Sequence, residues 1–369
     1  MKRATFKTAE GLVQRLFMAA LAAITLSAVA LPAGQSVVNA AGSSGVSTSA
    51  IDPNDPTTKN LQTTPVVPPP PKLDTFTVGT LPQGVKAPKK LPTQVSANSK
   101  TQGAMTALSG CSPTCYYWAG GDQSFTGTLP GGIFANVSTN PSPMPVLKTG
   151  DSHTLVEVAA RKTTGTVKQT VELGLTIDPA VNSGDSTNFH IFSFWWKNDV
   201  GICYNGCGFV PYPGATYTVG QLVGSSITSF KLGIQYDSAS DAWWLWVGNT
   251  GGTVGGWIGY YPRSLWTNTN SYGTGVAGFT NNDYATGFGE IAANTSTAAT
   301  TCTDMGSQVL ATSTAGSSVG SFSYPGYTTA QVNVATYVAP SGINSYYNSV
   351  PLGTAGNIRT LRYGGPGGC

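Results

Sequence analysis

The sequence predicts an all-β domain, a sandwich or a barrel, on three observations. From about residue 110 onward, short runs rich in Val, Ile, Tyr, Trp and Thr alternate with Gly, Asn and Pro punctuation. No stretch holds a helical period over about twelve residues. Only 9% of the residues are charged, so solubility rests on Ser, Thr, Asn and Gly, a texture common in secreted all-β proteins. In chain order the candidate strands are 132–138, 153–162, 166–178, 188–197, 226–237, 241–248, 254–261, 283–292, 305–313, 329–338 and 357–363. Asp178-Pro179 and Tyr261-Pro262 end their strands, because a proline biases the residue before it and cannot continue a ladder.

The region before this domain divides in two. Residues 1–40 carry the signature of a secretory signal: Lys2, Arg3, Lys7 and Arg15, an apolar stretch from Leu16 to Pro32, and Val38-Asn39-Ala40 as a cleavage site. A second legal site ends at Ala30, and a membrane anchor is the rival reading of the same stretch. Residues 41–109 form a Pro/Thr-rich tract with Pro68-Pro69-Pro70-Pro71 at its centre, too poor in apolar residues to fold alone. It is expected to act as an inhibitory propeptide, a spacer or an unstructured tail. The domain proper is then 110–369.

Composition excludes several functions. Removing residues 1–40 takes away four basic residues and one acidic residue, leaving fifteen of each sign. A neutral surface has no counterion-release term for nucleic acid. Six cysteines in an exported chain point to disulfides. Cys111/Cys115 and Cys203/Cys207 are spaced for small local loops, and elimination pairs Cys302 with Cys369. Closing that last loop stabilises the fold by about 4 kcal/mol in the chain-entropy model. With two histidines, His153 and His190, a structural zinc site is disfavoured and no metal or cofactor is expected. Neither histidine adjoins a nucleophile motif, and the glycine-rich stretches lack a phosphate-binding lysine.

Carboxylates remain. The whole chain has four glutamates: Glu10 in the leader, then Glu157, Glu172 and Glu290. Side chains alternate across a strand. Around Glu172, Val167, Val171, Leu173, Leu175 and Ile177 fall on one side, while Thr170, Glu172, Gly174, Thr176 and Asp178 fall on the other. Glu172 therefore belongs off the core face, and Gly174 beside it predicts a hollow. Around Glu290 the residues Tyr284, Thr286 and Phe288 share its face, and Gly287 and Gly289 empty the opposite one. Two carboxyls held close titrate as a unit, one ionised and one protonated, which suits activation of water. Glu157, near Arg161, is expected to be an ion pair or an edge-strand charge.

Ordered segments over 110–369 resemble the neprosin family of secreted glutamic peptidases, which cleave after proline. They are Val171-Glu172-Leu173-Gly174 through Asp178-Pro179; Phe194-Trp195 followed by Cys203-Tyr204-Asn205-Gly206-Cys207-Gly208-Phe209; Trp243 to Asn249; Gly259-Tyr260-Tyr261-Pro262 with Leu265-Trp266; Gly289-Glu290-Ile291; and Met305-Gly306-Ser307. The resemblance implies a two-sheet antiparallel β-sandwich, jelly-roll or concanavalin-like, with Glu172 and Glu290 as the catalytic pair in a groove. It implies attack by activated water, a polypeptide substrate containing proline, and an extracellular protein, expected as a monomer. Trp195, Trp244 and Tyr260 are the candidates for stacking on substrate, although any one tryptophan most often packs in a core. Two other readings suit paired glutamates beside aromatic platforms: a β-sandwich glycoside hydrolase, and a non-catalytic carbohydrate-binding or adhesive module.

Overall fold

The computed structural model describes residues 67–72, 84, 114–138, 143–224, 227–250, 254–295, 297–328, 331–353 and 357–369. The signal reading for 1–40 and most of the 41–109 tract lie outside the described residues.

Fifteen strands follow in order: β1 (Cys115–Ser124), β2 (Gly132–Ser138), β3 (His153–Thr164), β4 (Val167–Ile177), β5 (His190–Lys197), β6 (Val200–Tyr204), β7 (Val210–Pro211), β8 (Ser229–Asp237), β9 (Ala242–Asn249), β10 (Gly255–Pro262), β11 (Tyr284–Ala293), β12 (Ser317–Ser323), β13 (Ala335–Ala339), β14 (Asn348–Leu352) and β15 (Thr360–Gly364). A short helix, α1 (Ser264–Thr267), follows β10. The strands form two antiparallel sheets. One has seven strands in the order β13-β1-β11-β3-β4-β5-β6, and the other has eight in the order β14-β15-β12-β2-β8-β9-β10-β7.

The sheets face each other over one apolar core. Val156, Val158, Val171, Leu173, Leu175, Ile191 and Trp195 enter it from the seven-stranded sheet; Ile133, Ala135, Phe230, Leu232, Trp243 and Leu245 enter it from the other. The period-2 alternation read for β4 therefore holds, with Val171, Leu173, Leu175 and Ile177 inward. Gly287 and Gly289 also face inward, where they let the opposite sheet approach. A Cβ at 287 would lie 2.7 Å from Val319, and one at 289 would lie 2.5 Å from Tyr363.

The disulfides Cys203–Cys207 and Cys302–Cys369 are formed. Cys115 is also disulfide-bonded, while its expected partner Cys111 lies outside the described residues. The strand expected over 305–313 is absent. Gly306 and Gln308 adopt positive φ of 66° and 64°, Met305 makes only an isolated bridge to Gly365, and the strand forms later as β12. Strands β1, β6, β7 and β14 were not anticipated.

Candidate active site

Register carries the site. In the seven-stranded sheet β3 lies between β11 and β4, pairing Glu157 with Phe288 on one side and Gly174 on the other. Glu172 pairs with Ala159, and Glu290 with Leu155. Paired residues in an antiparallel sheet share a face. Glu157, Glu172 and Glu290, all the glutamates among the described residues, therefore occupy one face, the one turned away from the inter-sheet core. All three are fully buried.

Along that face they form a diagonal. Glu172 to Glu157, and Glu157 to Glu290, are each a diagonal cross-strand step of about 7–8 Å between Cα atoms. Glu172 and Glu290 are thus about 16 Å apart along the sheet, two strand spacings by four residue rises. Glu157 stands between them, on a central strand. The edge-strand expectation for Glu157 is corrected accordingly. So is the hollow expected at Gly174: a Cβ there would lie 2.4 Å from the Val156 carbonyl oxygen, 2.5 Å from the Phe192 ring and 2.7 Å from the Glu157 Cβ. That space is filled by the ring and by Glu157 itself.

Each outer glutamate is held by an indole. Trp196 Nε1 donates to Glu172 Oε1 at 2.8 Å, and Trp118 Nε1 donates to Glu290 Oε2. Hydrogen bonds to a carboxylate from a buried donor are strong and fix its orientation. The other oxygen of Glu290 lies 2.7 Å from His153 Nε2, and His153 Nδ1 lies 3.5 Å from Asp178 Oδ2. Asp178 in turn accepts the backbone N–H groups of Ala180 and Val181. Burial by itself would lower the His153 imidazole, but the Asp178 and Glu290 carboxyls outweigh it and raise its pKa above the ordinary 6.5. The result is a buried chain Trp118–Glu290–His153–Asp178 at one end of the face.

Aromatic walls flank the diagonal. Phe192, Phe194, Trp196 and Tyr204 cluster on the Glu172 side; Tyr116, Trp118, Phe288 and Tyr337 cluster on the Glu290 side. A further carboxyl of this face, Asp122, accepts from Tyr284 Oη at 2.9 Å, and the Arg161 guanidinium sits 3.8 Å above the Tyr284 ring. Burial pushes Asp122 up to about 6, against the lowering pull of Tyr284 and Arg161.

None of the three aromatic residues expected at subsites shares this face. Trp195 pairs with Val171 and points into the inter-sheet core, packed on Tyr261, Trp266 and Tyr272. Trp244 and Tyr260 pair with each other on the outer face of the eight-stranded sheet. The physical reason is the alternation itself: beside Glu172 the neighbouring strand presents Phe194 and Trp196, and the residue between them must turn inward. His153, Asp178, Trp118 and Trp196 escaped the sequence reading because only pairing register brings them to the glutamates.

Among solved structures, a scytalido-glutamic peptidase bound to a peptide-based transition-state analogue is similar at 8% identity, over 68% of this chain and 99% of that chain, with a TM-score of 0.32. SCP-B, a member of the eqolisin family of peptidases in complex with the tripeptide Ala-Ile-His, is similar at 10% identity, over 69% and 99%, with a TM-score of 0.28. Tailspike protein 2 from Escherichia coli O157:H7 bacteriophage CAB120 is similar at 10% identity, over 55% and 21%, with a TM-score of 0.24. No curated protein matches the sequence. The family model named Neprosin matches residues 150–366, a span that contains Glu157, Glu172, Glu290, His153 and Asp178. With more than half of its length covered by that model, the chain belongs to the neprosin family.

Proposed function

We propose that the chain is a secreted glutamic endopeptidase that hydrolyses polypeptides on the carboxyl side of proline, with Glu172 and Glu290 as its catalytic pair. The observation that carries the reading is the buried diagonal of three glutamates on one sheet face, with both outer members held by indole N–H groups. Membership of the neprosin family supports the same chemistry. An ionised glutamate takes a proton from water while the resulting hydroxide adds to the scissile carbonyl carbon. A protonated glutamate donates to the departing amide nitrogen, the C–N bond breaks, and the amine leaves. No covalent intermediate is needed.

The span of about 16 Å between the Cα atoms of the pair gives Glu157 a part. Standing midway on the same face, it is the third buried carboxyl of the diagonal. The face also suits proline, since Trp118 and Trp196 put aromatic rings at either end of the diagonal on which a pyrrolidine ring can pack.

Glu172→Gln and Glu290→Gln keep shape and remove the ionisable group. Each is expected to fold normally and to lose at least a hundredfold of proteolysis on a proline-containing peptide, the lower end of what general acid–base groups contribute. Full activity in either variant removes the pair from the mechanism. The unsubstituted protein, tested on a proline-containing peptide beside a polysaccharide panel, distinguishes the peptidase from the sugar-cleaving reading.

A further inference from the structure

The outer face of the eight-stranded sheet carries an aromatic surface unconnected with the glutamates. On β9 the inward residues Trp243, Leu245 and Val247 alternate with Trp244 and Trp246, which point outward. Their partners on β10 are Tyr260 and Trp257, and Phe134 reaches the same face from β2. The rings interlock, Trp244 to Tyr260 at 4.8 Å, Trp246 to Trp257 at 5.4 Å and Phe134 to Trp257 at 6.4 Å between centroids. Tyr212 closes one side against Trp244 at 6.0 Å. An aromatic cluster on the outside of a sheet contributes nothing to the inter-sheet core, so its rings need another partner.

Part of the same chain supplies it. Val67 packs against this cluster, and the indole Nε1 of Trp257 lies 3.1 Å from the carbonyl oxygens of both Pro68 and Pro69. Along the tract Val67, Pro70 and Pro71 are half-buried, whereas Pro68, Pro69 and Lys72 are exposed. Half-burial at 67 and again at 70, with exposed residues between, matches the three-residue repeat of a polyproline II helix laid along a surface. Such a helix has no internal hydrogen bonds, so its carbonyls are free to accept from an indole, and aromatic grooves recognise it through ring packing plus this donor. Proline rings add a second advantage, because a chain already restricted to polyproline II loses little entropy on docking.

We propose that the outer face of the eight-stranded sheet is a polyproline II docking site, with Trp257 as its hydrogen-bond donor and the chain's own Val67–Pro71 as its resident ligand. Glutamates and proline tract occupy opposite outer faces of the sandwich. The docking site therefore recognises extended proline-rich chain independently of the chemistry at Glu172 and Glu290, and its test reads binding instead of hydrolysis.

The test uses the full chain with Pro68, Pro69, Pro70 and Pro71 all changed to Ser, which vacates the site without touching a strand. The probe is the blocked peptide Val-Pro-Pro-Pro-Pro-Lys, followed by tryptophan fluorescence, with mass spectrometry showing that it stays intact. The substituted chain is expected to bind it, and the unaltered chain at least tenfold more weakly, since the tethered tract competes at high effective concentration. Adding Trp257→Phe, which keeps a ring and removes the donor, weakens binding about tenfold. In the otherwise unaltered chain Trp257→Phe also speeds tryptic cleavage after Lys72. No binding by the substituted chain, equal binding by the unaltered chain, equal binding of Val-Ser-Ser-Ser-Ser-Lys, or an unchanged tryptic rate would each overturn the proposal.

Discussion

Replacing Asp122 by Asn should change how the protein's stability depends on pH. Burial raises the Asp122 carboxyl from 3.8 to about 6 in the folded state, despite Tyr284 and Arg161 beside it. A group whose folded pKa lies above its unfolded value binds its proton more tightly when folded. Its contribution to stability is fully present below pH 3.8 and is lost as pH rises through 6. The difference of about two pKa units corresponds to roughly 3 kcal/mol across that window. For a domain of this size that is a shift of about 6–12 °C in melting temperature. Asp304, pushed by burial to about 6 as well, adds a contribution of the same sign. These two carboxyls therefore favour the fold at pH 4 over pH 6.5, and Asp122→Asn, which cannot ionise, should lose the Asp122 part of that slope and keep the Asp304 part. Urea denaturation at the two pH values measures both slopes, and comparing slopes removes whatever the substitution costs at a single pH. If the variant and the wild type change by the same amount between pH 4 and 6.5, the carboxyl is not held protonated and the reasoning is refuted.

Three other expectations follow from the same geometry. The raised pKa of His153 stabilises the fold below 6.5 and is lost as pH climbs through its folded value, so His153→Gln should flatten the fall in melting temperature on the alkaline side of 6.5. An unaltered alkaline limb in that variant would show that the Glu290–His153–Asp178 chain carries no charge. Gly174→Ala should destabilise by about 1–3 kcal/mol, because its methyl group meets a backbone carbonyl and displaces Phe192 or Glu157; denaturant titration reads the loss, and a neutral result would mean that the strand can give way. Replacing Cys302 and Cys369 together by Ser opens the loop they close and should cost about 2–5 kcal/mol, seen as a lowered denaturation midpoint.

The glutamate face and the tryptophan platform differ in how legible they were before folding. Glu172 could be assigned to the face away from the core from β4 alone, since Val171, Leu173, Leu175 and Ile177 alternate with it and alternation is a local property of a strand. For Glu290 alternation gave only its face-mates Tyr284, Thr286 and Phe288, and the sheet packing decided that this face turns away from the core. For β1 the Gly120-Gly121 pair resembles punctuation, and only its pairing with β11 and β13 makes it a strand. Trp118 was hidden with it.

Sequence by itself determined the fold class, the two fully described disulfides, the family, and the side of its strand on which Glu172 lies. These follow from composition, spacing and a two-residue period, all of which are written along the chain. Which strands lie side by side, and in what register, was decided only by the tertiary structure. Ladder hydrogen bonds are made by every backbone alike, so pairing is selected by how two sheets close over a common core. That selection set Glu157 between Glu172 and Glu290, brought His153 and Asp178 to one end of the diagonal, turned Trp195 inward, and laid the proline tract on the far side of the sandwich.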